Sequence, residues 1–288
     1  MERLSVKRVP AREESGESAA ATGLSTTATV VTPGEPLRSP YEAPDLYDLL
    51  FETFVFDVPY WLEVGKTANG PVLDVACGTG RIMLRLLEAG VDVDGVDAYP
   101  LMLDQLRRKA HARGLAARVF QGDMRDFTMP RRYERAICAF NAFAHCETID
   151  EQIRALRCIR EHLEPGGALV LHMSYPSLSM WTEPSGEPVL ERESPHPLNA
   201  HTLQMWDTRF KNAIGQCQRS QMEVREVDAT GRCVDSQRFE TTQRWVYRHE
   251  LELLLKLAGY PRIDIRGGFE NEPLERDDQQ MIAWAWRD

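Results

Sequence analysis

The sequence predicts an α/β protein, with a mostly parallel sheet flanked by helices and an inserted antiparallel β segment. Three observations carry this. Short apolar runs alternate with helical stretches from residue 71 to 174, the signature of right-handed strand–helix–strand crossovers. The alternation stops over 176–247, where long strands take over, two of them meeting at Ala229-Thr230-Gly231. A helix and two closing strands follow in 248–288. A chain of 288 residues suits one such domain with an insertion.

In chain order, residues 1–40 are rich in Ser, Thr, Ala, Glu and Pro without apolar periodicity and read as a disordered tail. Its arginines invite a transit-peptide reading, but Glu13, Glu14 and Glu17 count against it. Residues 45–62 suggest one or two amphipathic helices covering the sheet. Among their aromatics, Tyr47, with Tyr41 just before, is a candidate to close over a ligand. Residues 72–75 form a buried first strand, and Gly78-Thr79-Gly80 turn the chain into a helix near Arg81 that stops at Ala89-Gly90. Strands are then expected at 91–96, 117–120, 136–140 and 168–173, with helices over 100–113 and 150–163. The second of these helices should end at Pro165-Gly166-Gly167. Residues 176–197, with five prolines, read as loop. Strands follow at 201–210, 221–228 and 232–245, then a helix at 248–258 ending at Gly259, and strands at 263–265 and 281–286.

Composition narrows the partners. The hydrophobic fraction of 43% supports a sizeable core, while no run approaches the roughly 20 apolar residues of a membrane span. A net charge of −10 argues against a nucleic-acid backbone as partner. The six cysteines are scattered, with no C-x-x-C pair, so structural thiols are favoured over a metal site. With no signal-peptide core, a reducing cytoplasm is the default expectation.

Ligands of parallel α/β sheets bind beyond the C-terminal strand ends. Asp74 to Gly80, Asp97, Asp123-Met124 and the stretch from Phe140 to His145 all fall at such ends. A glycine turn lets a ligand approach the backbone, and the helix behind it offers unpaired N–H groups. An acid ending the second strand is placed to accept from a ribose diol. A dinucleotide site would want a third glycine in G-x-G-x-x-G; here that position is Met83.

The motifs V-L-D-V-A-C-G-T-G, G-V-D-A-Y-P-L-M-L, Q-G-D-M-R-D-F and L-E-P-G-G-A-L resemble those of class I S-adenosylmethionine-dependent methyltransferases. The closing strands, preceded by A-G-Y, resemble that family's antiparallel C-terminal pair. The resemblance covers roughly residues 71–174 and 248–288. It implies a Rossmann-like seven-stranded sheet, a core made of 41–175 and 248–288, and an inserted region at 176–247. It also implies S-adenosylmethionine as cofactor and a small-molecule acceptor, with N-methylation favoured over O-methylation. On the resemblance, Asp74, Ala76, Gly78 and Gly80 would line the methionine and ribose portion of the cofactor. Asp97 would bind the ribose hydroxyls, with Ala98 and Met102 flanking the adenine. Asp123 would accept from the adenine amino group, and the Met124 N–H would meet a ring nitrogen. Phe140 and Asn141 would lie near the transferable methyl. Ala76 departs from the pattern, since many relatives have glycine there.

The segment A-F-N-A-F-A-H-C resembles that of small-molecule and amino-sugar N-methyltransferases, which makes His145 the candidate base. Simpler readings stand beside these. Asp74 or Asp97 would serve equally as a helix cap, Cys77 as a buried filler, Met102 as core, and His145 as a structural histidine. His172 reads as core, and Tyr175, His196 and His201 are weaker acceptor-side candidates. Trp181, Met205, Trp206 and Trp245 read first as the apolar face of the inserted sheet and second as a pocket wall. The insert would cover the acceptor side or form a homodimer surface. Two other functions compete: an NAD(P)-dependent reductase, and a non-catalytic S-adenosylmethionine-binding partner protein.

Overall fold

The structure is a computed structural model that describes residues 37–288. Most of the expected 1–40 tail therefore lies outside the described residues. Helices α1 (Pro44–Phe51) and α2 (Val58–Lys66) open the described chain. Each has a proline in its first turn, where the missing N–H costs nothing. The strands and helices that follow are β1 (Val72–Val75), α3 (Met83–Glu88), β2 (Val93–Asp97), α4 (Pro100–Ala112), β3 (Arg118–Gln121), β4 (Tyr133–Cys138), α5 (Ile149–His162) and β5 (Leu163–Ser174). Then come α6 (Ser179–Thr182), β6 (Pro188–Pro195), β7 (Thr202–Asn212), β8 (Cys217–Val227) and β9 (Cys233–Arg244). The chain closes with α7 (Arg248–Leu257), β10 (Arg262–Gly267) and β11 (Gln280–Trp286).

Seven strands form one sheet in the order β10-β11-β5-β4-β1-β2-β3. β1 to β5 run parallel to one another, whereas β11 is antiparallel to both β5 and β10. From β1 the chain winds outward through β2 and β3, then returns to place β4 on the other side of β1. The order thus reverses between β1 and β4, and a crevice opens at their C-terminal ends. Successive residues of a strand point to opposite faces. Val72, Val93, Ile137 and Val170 pack with Trp61, Leu84 and Leu106 from α2 to α4. Leu73, Val75, Leu169 and Leu171 pack with Leu156 and Ile159 of α5 and Leu251 and Leu255 of α7. β6 to β9 form a second sheet in sequence order.

Two compact units result. One comprises Pro184–Phe210 and Arg219–Thr241, with the described residues up to Ser39; the other comprises Pro40–Glu183, Lys211–Gln218 and Thr242–Asp288.

Three local expectations are corrected. The stretch 176–197, read as loop, contains α6 and the edge strand β6. Pro188 and Pro195 stand at the two ends of β6, positions that an edge strand tolerates. β4 runs over Tyr133–Cys138 rather than 136–140, because Phe140 and Asn141 adopt left-handed backbone angles that no strand can continue. The Pro165-Gly166-Gly167 turn lies inside β5, where the register to β4 slips after Tyr133↔Leu163. A Cβ on Gly167 would sit 2.9 Å from the Glu134 carbonyl oxygen, so only glycine fits this approach.

Candidate active site

The turn after β1 is built on left-handed backbone. Ala76, Gly78 and Gly80 have φ of 58°, 55° and 87°. Gly80 has a second reason to be glycine: a Cβ there would lie 2.8 Å from Leu106 and 2.9 Å from Leu84. Ala76 adopts the same conformation with a side chain, at a cost of about 1 kcal/mol. The turn is tied down where Cys77 N–H donates to the Val96 carbonyl at 3.1 Å, and Gly80 N–H to the Cys77 carbonyl at 2.9 Å. Cys77 is buried, and its Sγ would lie 2.7 Å from a Cβ at Gly95, in line with a filler role. Met102 on α4 is buried too, with its Cε 3.4 Å from a Cβ placed on Gly78.

Asp97 ends β2 and is 8% exposed. Its two oxygens accept from the Gly78 N–H at 2.8 Å and the Tyr99 N–H at 2.9 Å. Burial raises its pKa, opposed by these backbone hydrogen bonds and one from Ala98. Asp74, 3% exposed in β1, is pushed up to about 7 by burial, opposed by Arg81 and raised further by Asp97. The Met83 N–H at the start of α3 also draws it down, while the N-cap of that helix is Ile82. Asp97 is not the N-cap of α4; Tyr99 occupies that position.

Asp123 follows β3, one residue after Gly122 donates to the Asp97 carbonyl at 3.0 Å. Its carboxylate is forked by Arg125, at 2.8 Å to Nε and 2.6 Å to a terminal nitrogen, and the guanidinium also reaches Glu151. Arg125 holds its pKa below the usual carboxylate range. Met124 is half-buried and packs against the core.

At the end of β4, Phe140 and Asn141 are consecutive left-handed residues with φ of 55° and 61°. His145 follows in a short 3-10 helix, Ala142–His145. Its Nδ1 lies 3.3 Å from the Thr242 carbonyl and its Nε2 2.6 Å from the Tyr41 hydroxyl. A carbonyl can only accept, so this geometry places the proton on Nδ1 and leaves Nε2 to accept from Tyr41. Burial lowers the His145 pKa and raises that of Tyr41, so both groups are neutral near pH 7.

The first helices reach the same place. Tyr41 packs its ring 5.8 Å from Tyr47, 5.1 Å from Tyr99 and 5.4 Å from His145. Tyr47 packs at 4.8 Å against Phe51 with the rings tilted, and Phe51 meets Phe140 at 6.0 Å. Burial pushes the Tyr47 phenol up to about 12, with Arg81 and Asp97 near enough to act on it. Polar ties hold this aromatic wall to the glycine turn. Asp48 accepts from Thr79 at 2.5 Å, and from Gln105 and Lys109 at 3.0 Å each. Arg81 pairs with Asp57 at 2.5 and 2.8 Å, donates to the Phe54 carbonyl at 2.8 Å, and lies 4.6 Å over the Phe140 ring.

The predicted residues from β1, β2 and β4 therefore meet, together with Tyr47. Sequence reasoning missed Arg81, Asp57, Asp48, Tyr99 and the Tyr41–His145 bond. Arg81, directly after Gly80, was the one residue with a local signal. The weaker acceptor-side residues disperse: His201 pairs with Glu226 at 2.5 Å, His196 accepts from the Leu198 N–H at 3.2 Å, and Tyr175 packs 6.0 Å from Tyr247. Trp181 meets Trp245 edge-on at 5.2 Å, whereas Met205 lies on β7, and Trp206 beside it lies under the Arg225 guanidinium at 5.1 Å. Among the described residues, no group of His, Cys, Asp and Glu could hold a metal ion. No helix among them is long and apolar enough to cross a membrane.

Comparison with known proteins agrees with this architecture. Residues 72–167 match the model of a methyltransferase domain. The chain is 27% identical over 224 residues to the cypemycin N-terminal methyltransferase of a Streptomyces species, covering 77% of this chain and 86% of that one. It is 35% identical over 137 residues to a dTDP-3-amino-3,6-dideoxy-alpha-D-glucopyranose N,N-dimethyltransferase of Streptomyces fradiae, covering 45% of this chain and 52% of the relative. The fold is similar to that of the CcbJ methyltransferase of Streptomyces caelestis, with TM-score 0.65 and 24% identity over 80% of this chain and 88% of that one. The chain carries a methyltransferase domain and is an S-adenosylmethionine-dependent methyltransferase, with S-adenosylmethionine as its cofactor. The reductase and the non-catalytic partner readings are set aside with that result.

Proposed function

We propose that this enzyme transfers a methyl group from S-adenosylmethionine to an amine nitrogen of a small molecule, with His145 as base. The observation that carries the base assignment is the Tyr41–His145–Thr242 chain at the end of β4. A neutral imidazole whose Nε2 accepts from the Tyr41 hydroxyl can take the proton of an arriving ammonium through that hydroxyl. Among the relatives, one is named for an N-terminal amine and one for an amino sugar, which supports nitrogen over oxygen.

The donor set fits the cofactor's chemistry. Asp97 has lone pairs left for a ribose diol after two N–H bonds, with Ala98 and Met102 toward the adenine. Asp123 retains acceptor capacity beside Arg125, and the Met124 N–H offers a donor. Asp74, Ala76, Gly78 and Gly80 would line the methionine and ribose portion, with Tyr47 closing over it and Phe140 and Asn141 beside the methyl. The cofactor supplies an electrophilic methyl; the chain's part is to align the acceptor behind it, worth several orders of magnitude in rate.

Residues 41–175 and 248–288 form the cofactor-binding core in this reading, with 176–247 as an insert for acceptor cover or homodimer contact. The negative charge disfavours a nucleic-acid acceptor or an anionic membrane surface, and a cytoplasmic location is part of the same reading.

Incubation with S-adenosylmethionine and two probes, a dTDP-amino sugar and a peptide with a free N-terminus, should yield a product heavier by one or two methyl groups on nitrogen. His145→Ala should lower its formation by about 10²-fold at unchanged cofactor affinity by calorimetry. Methylation confined to hydroxyl acceptors would overturn the nitrogen assignment; equal losses of turnover and affinity would overturn the role of His145.

A further inference from the structure

The corner at Phe140 and Asn141 is costly. A left-handed backbone is unfavourable at Phe140 above all, Asn141 tolerating it better, and such strain persists only where the surroundings over-determine it. What holds it is legible in one relay of hydrogen bonds. The Phe140 N–H donates to Nδ1 of His172 at 3.0 Å. His172 lies in β5 and is 3% exposed. Its Nε2 lies 2.8 Å from Gln280 Oε1 on β11. The same oxygen accepts from the Ser174 hydroxyl at 3.1 Å. The relay returns to the corner, for the Asn141 amide donates to the Ser174 oxygen at 2.9 Å and accepts from the Ser174 N–H at 2.5 Å.

This accounting sets the state of His172. Nδ1 must be the acceptor and Nε2 the donor, because an amide N–H faces one and an amide carbonyl oxygen the other. Burial lowers its pKa, Asp57 raises it and Arg81 lowers it, these two being paired with each other. The Phe269 ring stands edge-on at 5.1 Å. A ring spent wholly on one backbone N–H and one amide is more than core filler.

We propose that His172 and Gln280 are positioning residues of the methyl-transfer site, holding the Phe140–Asn141 corner in its left-handed form from the neighbouring strands. The proposal rests on the reading that this corner lies beside the transferable methyl. The corner sets where the Phe140 ring stands against Arg81 and Phe51 and where the Asn141 amide points. Without the acceptor at Nδ1, the Phe140 N–H is unpaired and the corner relaxes, displacing both side chains while the sheet beneath stays formed.

The test uses the full chain with methyl-13C-labelled S-adenosylmethionine, reading the bound methyl resonance and hydrogen exchange at the Phe140 amide. In His172→Leu, exchange at Phe140 should speed up by about tenfold, the loss of one buried hydrogen bond. The methyl resonance should move, while cofactor affinity stays within about threefold. His172→Asn, whose Oδ1 can take the place of Nδ1, should restore both. Unchanged exchange in His172→Leu, or no rescue by the folded Asn variant, would overturn the proposal. Should His172→Leu not fold, Gln280→Leu carries the same test, with faster Phe140 exchange expected and unchanged exchange refuting it. Asn141→Gly separates the two readings: an unmoved methyl resonance there removes the corner from the site, whatever His172 does.

Discussion

The two ends of β2 carry the same side chain in opposite circumstances. Asp94, near the start of the strand, is 1% exposed and surrounded by partners: Arg118 Nε at 2.6 Å, Arg131 Nε at 2.8 Å and the Tyr133 hydroxyl at 2.8 Å. Asp97, at the far end, is nearly as buried, but it accepts from the backbone N–H groups of Gly78 and Tyr99. The first carboxylate is neutralised within the protein. The second has its charge set by weak dipoles and remains receptive to hydroxyl donors. Burial of an acid is thus no sign of function by itself; what matters is whether the protein has already satisfied it.

The sharpest way to break this comparison is to remove each acid's chemistry and read both ligand affinity and stability. Asp97→Ala should weaken S-adenosylmethionine binding about 10³-fold, as expected for two charge-assisted hydrogen bonds. Calorimetry showing unchanged affinity would remove Asp97 from the site. Arg131→Ala should do the reverse, costing about 2 kcal/mol in urea unfolding by exposing the Asp94 charge to a poorer set of partners. Its cofactor affinity should stay within about twofold.

A third measurement concerns Asp74, pushed up to about 7. S-adenosylmethionine brings positive charge, which favours the ionised carboxylate, so binding should release a proton. Affinity should then rise about tenfold from pH 6 to pH 8, and titrations in buffers of different ionisation enthalpy would count the proton. The sign for folding is opposite. A carboxyl raised above its unfolded value contributes stability below about 4 that is lost as pH rises through about 7, so Asp74→Asn should stabilise the free enzyme at pH 8. The smallest effect belongs to Asp92, half-exposed and held below the usual carboxylate range by Arg131 and Arg118. Asp92→Asn should cost under about 1 kcal/mol at pH 7, discounted for its exposure, and chemical denaturation would measure it.

A buried neutral histidine adds its own limb. Burial lowers the pKa of both His145 and His172. The stability they contribute is complete above the unfolded value of about 6.5 and lost as pH falls through the lowered folded values.

Much of the fold was legible because it depends on local pattern. The apolar run 72–75, the glycine stop at Gly90 and the period of α4 each follow from residues close in sequence. The place of Asp97 at the end of β2 was legible because a strand's end can be read from where its apolar run stops. The β6 edge strand was not, because prolines at its ends look like loop when the strand's neighbours are unknown. Nor was the corner at Phe140: Phe does not announce a left-handed backbone, and the histidine that accepts its N–H lies 32 residues away.

By itself, then, the sequence determined the succession of strands and helices, the glycine turn and the acids at strand ends, since each is set by short-range periodicity and backbone permissiveness. Tertiary structure alone decided that Tyr41 meets His145, that Arg81 is spent on Asp57, and that Asp94 is neutralised while Asp97 is not. These are pairings across distant segments. The chain's composition allows many of them, and only the packing of α1, α2 and the sheet selects which polar groups find partners and which stay available to a ligand.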